Sequence, residues 1–400
     1  MKAKLRGLIS LSETTTEILN SNHESVISTS AAIPFLIAEQ STHQPILLVA
    51  HSSKRASDLV AEISEFIDGV MEFPAWETLP HERLSPNSDT VAKRIHTLLH
   101  LEDAKVVVST ARALVQPIIS SITTTPLLNL EIGNEFNFAA LLRELTLRAY
   151  SRVDLVERRG DFAVRGGIID VFPPLASHPV RIEFFGDEIE DMKYFEISDQ
   201  RTFAPVVGAL TLIPCKEILI TPDVQARAGE LKSQYQELRE MCSKIESGIY
   251  VDGIESLAAV LHPEMASLID FLPANFSVVM LESERIKSRV IDLINTNQEF
   301  LEAAWSNVAL TSEKAEGRKL APLREELQAG AFADLATLRE VAEGKGISWR
   351  NFDLFGYEED PEIRQFKEIE PFKNNVERLI TEIKSKLSAG YLVVISLAGH

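Results

Sequence analysis

Apolar residues in the first 110 positions come in short unbroken runs set between stretches with helical spacing. Val26–Ser30, Pro45–Ala50 (PILLVA) and Val106–Thr110 (VVVST) have strand length and no polar alternation, whereas Ala31–Gln40 and Ala56–Ile67 read as helices, and another helix starts at Ala111. Strands covered on both faces lose their alternation. This rhythm of strand, helix and strand therefore predicts an α/β architecture with a parallel sheet. Phe276–Leu281 (FSVVML) repeats the strand signal much later.

Between these regions the period changes to two. Phe138–Leu147 reads as a helix within a connection, and three short strands follow at Ile168–Phe172, Val180–Phe185 and Glu188–Phe195. Gly186-Asp187 joins the last two, and Gly at the first central position suits a type II′ hairpin turn. Side chains alternate across a strand, so Arg181, Glu183 and Phe185 share one face and Ile182 and Phe184 the other. Adjacent Phe184 and Phe185 cannot both point inward. One face packs on a core, and the other shows an Arg and a Phe to water, the composition of a protein–protein hot spot. Runs of antiparallel strands within an α/β chain predict a small inserted domain ending near Pro214. Further on, Asp223–Ile245, Thr311–Glu340 and Pro371–Leu387 read as helical, the second with breaks. Tyr391–His400 (YLVVISLAGH) reads as a parallel-type strand with no helix after it, as though the chain were cut inside or beside a domain.

Length and charge narrow the class. Four hundred residues exceed one ordinary core, so two or three domains are expected. A net charge of −19 argues against a strong non-specific DNA binder, because phosphate contacts need clustered Lys and Arg. Cys215 and Cys242 are the only cysteines, too few for a disulfide framework and in keeping with a reducing cytoplasm. No apolar run approaches the length of a membrane span, and there is no signal peptide of normal form.

Candidate chemistry is sparse. A phosphate loop after the first strand needs backbone amides, a Lys and a Ser or Thr for magnesium. That place here reads VISTSAAIPFLIA, with no Gly and no Lys, and Pro34 removes one amide donor. His96 and His100 stand one helical turn apart, a spacing that could hold a metal, but no third ligand accompanies them. Trp76 lies in FPAWETLPHERLSPNSDTVAKRIHTLLHL, a folded-back loop with three prolines that leads into a helix near Ser88-Asp89.

Two blocks carry a resemblance. GDFAVRGGIIDVFP and VRIEFFGDEIEDMKYF closely resemble the small inserted domain shared by the excision-repair protein UvrB and the bacterial transcription-repair coupling factor. The Trp76 segment resembles the coupling factor, since UvrB has a Tyr-rich hairpin there and keeps its phosphate loop. The resemblance is strong over about residues 70–205, collinear before that and vague after 290. It implies a degenerate P-loop-type parallel sheet domain in two halves, UvrB-like, with an inserted small β-rich α+β domain. The expected boundaries are 1–126, 127–214 and 215–400. It implies that the inserted domain binds UvrA through the positions held here by Arg165, Arg181 and Phe185. Arg offers a planar fork for carboxylates and Phe a rigid apolar anchor. Leu281-Glu282-Ser283-Glu284 stands where the family has an acidic strand end for magnesium, but Ser283 departs from that motif. No catalytic residue, cofactor or metal is therefore expected within these 400 residues. ATP, magnesium, double-stranded DNA and RNA polymerase would belong to a motor and a polymerase-binding domain beyond His400, in a cytoplasmic protein that couples stalled transcription to excision repair. The alternatives are a UvrB-type damage-binding ATPase and a free-standing UvrA-binding protein.

Overall fold

The computed structural model describes residues 25–27, 29–79, 84–262, 264–311, 331–354, 372, 375–391 and 393. The chain lays down β1 (Ser25–Ile27), β2 (Ile46–Ala50), β3 (Val70–Phe73) and β4 (Val106–Thr110), and leaves through β5 (Ile118–Ile119). It then forms β6 (Leu128–Leu130), the helix Phe138–Leu147, β7 (Ser151–Arg152), β8 (Asp161–Arg165), β9 (Ile168–Val171), β10 (Val180–Phe185), β11 (Glu188–Phe195), β12 (Thr202–Pro205) and β13 (Leu210–Leu212). Two helices, Pro222–Gln234 and Arg239–Glu246, precede β14 (Met265–Ala266), β15 (Ser277–Leu281) and β16 (Ser348–Asp353).

The first sheet has the order β1-β16-β15-β2-β4-β3 and is parallel throughout. Its central strands β2, β15 and β4 are buried at every residue. Successive side chains feed opposite cores. Leu47, Val49, Val107, Val278 and Met280 pack on one side, and Ile46, Leu48, Val106, Val108 and Val279 on the other. Two-sided burial is thus the cause of the unbroken apolar runs. The second sheet, of order β12-β11-β10-β9-β8-β7, is antiparallel except where β7 meets β8. One face of it packs against the helix Phe138–Leu147 and the β6/β13 ribbon.

Several elements differ from the sequence expectation. The segment Ser348–Asp353 (SWRNFD) lacks a strand pattern, yet β16 is inserted between β1 and β15, because backbone pairing on both sides stabilises it whatever its side chains. The stretch 223–245 is two helices, broken at Tyr235, whose extended backbone (φ −124°, ψ 111°) lets its ring enter the core beneath. The helix Ser88–Leu99 does start where expected, but without a side-chain cap, and Ser88 donates instead to the Arg159 carbonyl at 3.2 Å. The helix Val376–Ser388 forms, with none of its residues buried among the described ones. Of the strand expected at Tyr391–His400 only Tyr391 and Val393 are among the described residues, and most of the first 25 residues lie outside them.

Candidate docking face

The β10–β11 hairpin has the expected two-residue turn: Phe185 pairs with Glu188, Gly186 takes φ +66°, and Asp187 does not take a positive φ. That sign pattern belongs to a type II′ turn. Val180 and Ile182 are fully buried opposite Tyr194 and Met192. Phe184 continues this inner face, its ring edge-on to Phe138 at 5.2 Å. The outer face carries Arg181, Glu183 and Phe185, and Phe185 is 77% exposed. Arg165 pairs with Ile168, and Ile168 with Glu183, so cross-strand alternation puts Arg165 on that same outer face. The three positions singled out in the sequence share one side of one sheet.

Arg181, however, is not a free arm. Its Nε and Nη2 donate to the two oxygens of Asp170 at 2.7 and 2.9 Å, and Nη1 donates to the Gln200 carbonyl at 3.3 Å. The Asp170 side chain is 4% exposed and that of Arg181 20%. The guanidinium lies 5.1 Å over the buried Phe195 ring. The Asp170 hydrogen bond holds the Arg181 pKa above its usual value, ahead of the opposing effect of burial. Three of its five N–H groups are committed within the fold. The solvated fork expected from the sequence is therefore a fixed one, offering only its remaining edge. Sequence reading missed Asp170, although a carboxylate in the apolar run GIIDVF, one strand away from Arg181, was a usable signal. Arg165 is exposed and donates from Nη2 to the Asp154 carbonyl at 3.0 Å.

The C-terminal edge of the parallel sheet is where α/β folds bind nucleotides. There Glu282 follows β15 at φ +59°, and its carboxylate pairs with Arg285 Nη1 at 2.7 Å, with His51 Nδ1 3.1 Å away. Ser283 donates its N–H and hydroxyl to Asp353. The acidic strand end is thus already engaged by the cationic Arg285 and by a neighbouring imidazole, an arrangement that does not suit a magnesium–nucleotide group. Pro34 begins the helix Ile33–Gln40, after the turn that follows β1. His96 and His100 stack with ring centres 4.2 Å apart, and His100 Nδ1 lies 2.7 Å from the His96 carbonyl. Among the described residues no three His, Cys, Asp or Glu side chains gather to hold a metal. Nor is any described helix long and apolar enough to cross a membrane.

A family model described as the UvrB interaction domain matches residues 128–217, the stretch that holds this face. The transcription-repair-coupling factor of Mycobacterium bovis is 36% identical over 384 residues, covering 90% of this chain and 31% of that protein. The transcription-repair-coupling factor of Escherichia coli is 31% identical over 265 residues, covering 63% of this chain and 23% of that protein. In Bacillus subtilis the figures are 25% over 316 residues, 71% and 27%. The chain spans less than a third of the length of these curated relatives. Over nine-tenths of its length this chain is similar to a transcription-repair-coupling factor, and its residues 128–217 match the UvrB interaction domain.

Proposed function

We propose that this chain is a UvrA-recruiting module without catalysis of its own, and that UvrA docks on the outer face of the second sheet at Arg165, Arg181 and Phe185. The observation that carries this is Phe185: a large aromatic, 77% exposed, at the end of a paired hairpin strand within the matched domain. An exposed aromatic anchor beside charged side chains suits a protein partner. The remainder, residues 1–126 and 215–400, would be two halves of one degenerate P-loop-type domain interrupted at 127–214. Strands β15 and β16 of the second half pair with β2 and β1 of the first, which supports that division. The engagement of Glu282 by Arg285 and the Pro34 at the start of the helix Ile33–Gln40 support a site that has lost nucleotide chemistry. The whole cytoplasmic protein would use ATP elsewhere to translocate on double-stranded DNA, release RNA polymerase stalled at lesions and hand the site to UvrA. The test is titration of the purified chain with UvrA. Phe185→Ala should weaken binding about thirtyfold, as removal of a central anchor does. Normal affinity in that variant, with the fold intact, would remove the docking assignment.

A further inference from the structure

We infer that Asp187 is the positioning residue of this docking face: its carboxylate buckles the β10–β11 turn to the start of the helix Phe138–Leu147 and so sets the direction in which Phe185 projects. One carboxylate oxygen accepts the Phe138 N–H at 3.0 Å and the other accepts from the Asn137 side-chain amide at 3.0 Å. The Asp187 carbonyl accepts the Phe136 N–H at 2.7 Å. Next to it, Ile189 exchanges backbone hydrogen bonds with Gly133 and Asn134, and Glu135 bridges Glu188. On the inner side Phe184 meets Phe138. The turn is thus gripped from both sides by one segment, 133–138.

The helix does not need this carboxylate as a cap, because the Asn137 side chain already accepts the Ala140 N–H at 3.0 Å. What Asp187 adds is the link between the helix start and the hairpin tip. The Phe138 amide, and then Asn137, hold the carboxyl below its usual pKa, so it stays charged in this role. Gly186 would otherwise give the tip wide backbone freedom. A Phe held in its docking direction loses less conformational entropy on binding than one on a loose turn. The inference rests on the UvrA reading and assigns to Asp187 no contact with UvrA.

The test uses the 400-residue chain and purified UvrA, with affinities and thermal melts for Asp187→Ala, Asp187→Asn, Phe185→Ala and the two double variants. Asp187→Ala should melt like the parent and bind about fivefold to tenfold more weakly, the loss expected when an anchor must be ordered on binding. Asp187→Asn should recover much of this, since its amide oxygen can still accept the Phe138 N–H. In the Phe185→Ala background neither change should weaken binding further, because Asp187 acts through Phe185. Parent-like binding by Asp187→Ala, or a loss that adds in full to that of Phe185→Ala, overturns the positioning role and leaves the docking reading standing. Should Asp187→Ala not fold, Asp187→Ser, which suits the turn and lacks the carboxylate, takes its place in the same cycle. Parent-like binding by Phe185→Ala itself would instead remove the docking reading and this inference together.

Discussion

Phe184 and Phe185 are neighbours with opposite roles, and the strand register decides which is which. Phe184→Ala should destabilise the fold by about 2–4 kcal/mol, because truncating a packed Phe leaves a cavity beside Phe138. Phe185→Ala should leave the melt within about 0.5 kcal/mol of the parent, as surface changes do. The reverse outcome would mean the register is off by one residue. Arg181→Glu is not a neutral surface change, since it sets a carboxylate against buried Asp170; a loss of about 3 kcal/mol or more is expected from breaking such a pair. UvrA binding by that variant must therefore be read beside its urea melt, and an unaltered melt would contradict the pairing. His96 supplies a pH test. Burial, and then the charge of His100, hold its pKa below the usual value of 6.5. Between the folded pKa and 6.5 the unfolded chain binds more protons, so this contribution is present above 6.5 and is lost as pH falls through that window. Urea midpoints at about pH 7.5 and about pH 5.5 should differ less in His96→Gln than in the parent. Equal differences would remove His96 as a source of the slope.

At the scale of elements, one buried pair ties the helix Ser88–Leu99 to the segment that follows β13. Arg94, fully buried on the helix Ser88–Leu99, donates from Nε to Glu217 at 2.5 Å and from Nη1 to the Pro74 carbonyl at 2.9 Å. Trp76 Nε1 donates to the same Glu217 oxygen at 2.7 Å, and the guanidinium lies 4.4 Å over the Phe73 ring. Trp76 therefore has a structural role, because it closes a polar junction between elements far apart in the chain. Glu217→Ala would leave a buried guanidinium without its counter-ion and should destabilise by about 3–5 kcal/mol. Chemical denaturation measures this, and a loss no larger than that of a surface change, about 0.5 kcal/mol, would show the junction to be dispensable.

For the whole molecule, charge and the altered strand ends point the same way. A net charge of −19 repels phosphate at long range, and the carboxylate best placed for magnesium is paired with Arg285. A fluorescent ATP analogue should show no saturable binding to this chain, and saturation in the micromolar range, about −8 kcal/mol, would restore the nucleotide site. Gel shifts at low salt should show weak, lesion-independent DNA binding. Tight lesion-preferring binding would favour a UvrB-type damage binder instead.

What depends on local periodicity could be read from the residues alone. Unbroken apolar runs marked β2, β4 and β15 because strands covered on both faces need apolar residues at every position. Alternation marked the two faces of β10, and Gly186 marked its turn, because both are properties of a few adjacent residues. Arg181 and Phe185 were legible as one face for that reason, whereas Arg165 entered only through the family resemblance. Only the tertiary structure decided partners. Periodicity says which side a residue faces and nothing about what lies there. Asp170 under Arg181, Asp187 against the helix start, and Glu217 paired with Arg94 across 123 positions are all products of chain topology. So is β16, whose polar sequence becomes a strand because two parallel neighbours, one from each half of the chain, leave a place between them that its backbone hydrogen bonds fill.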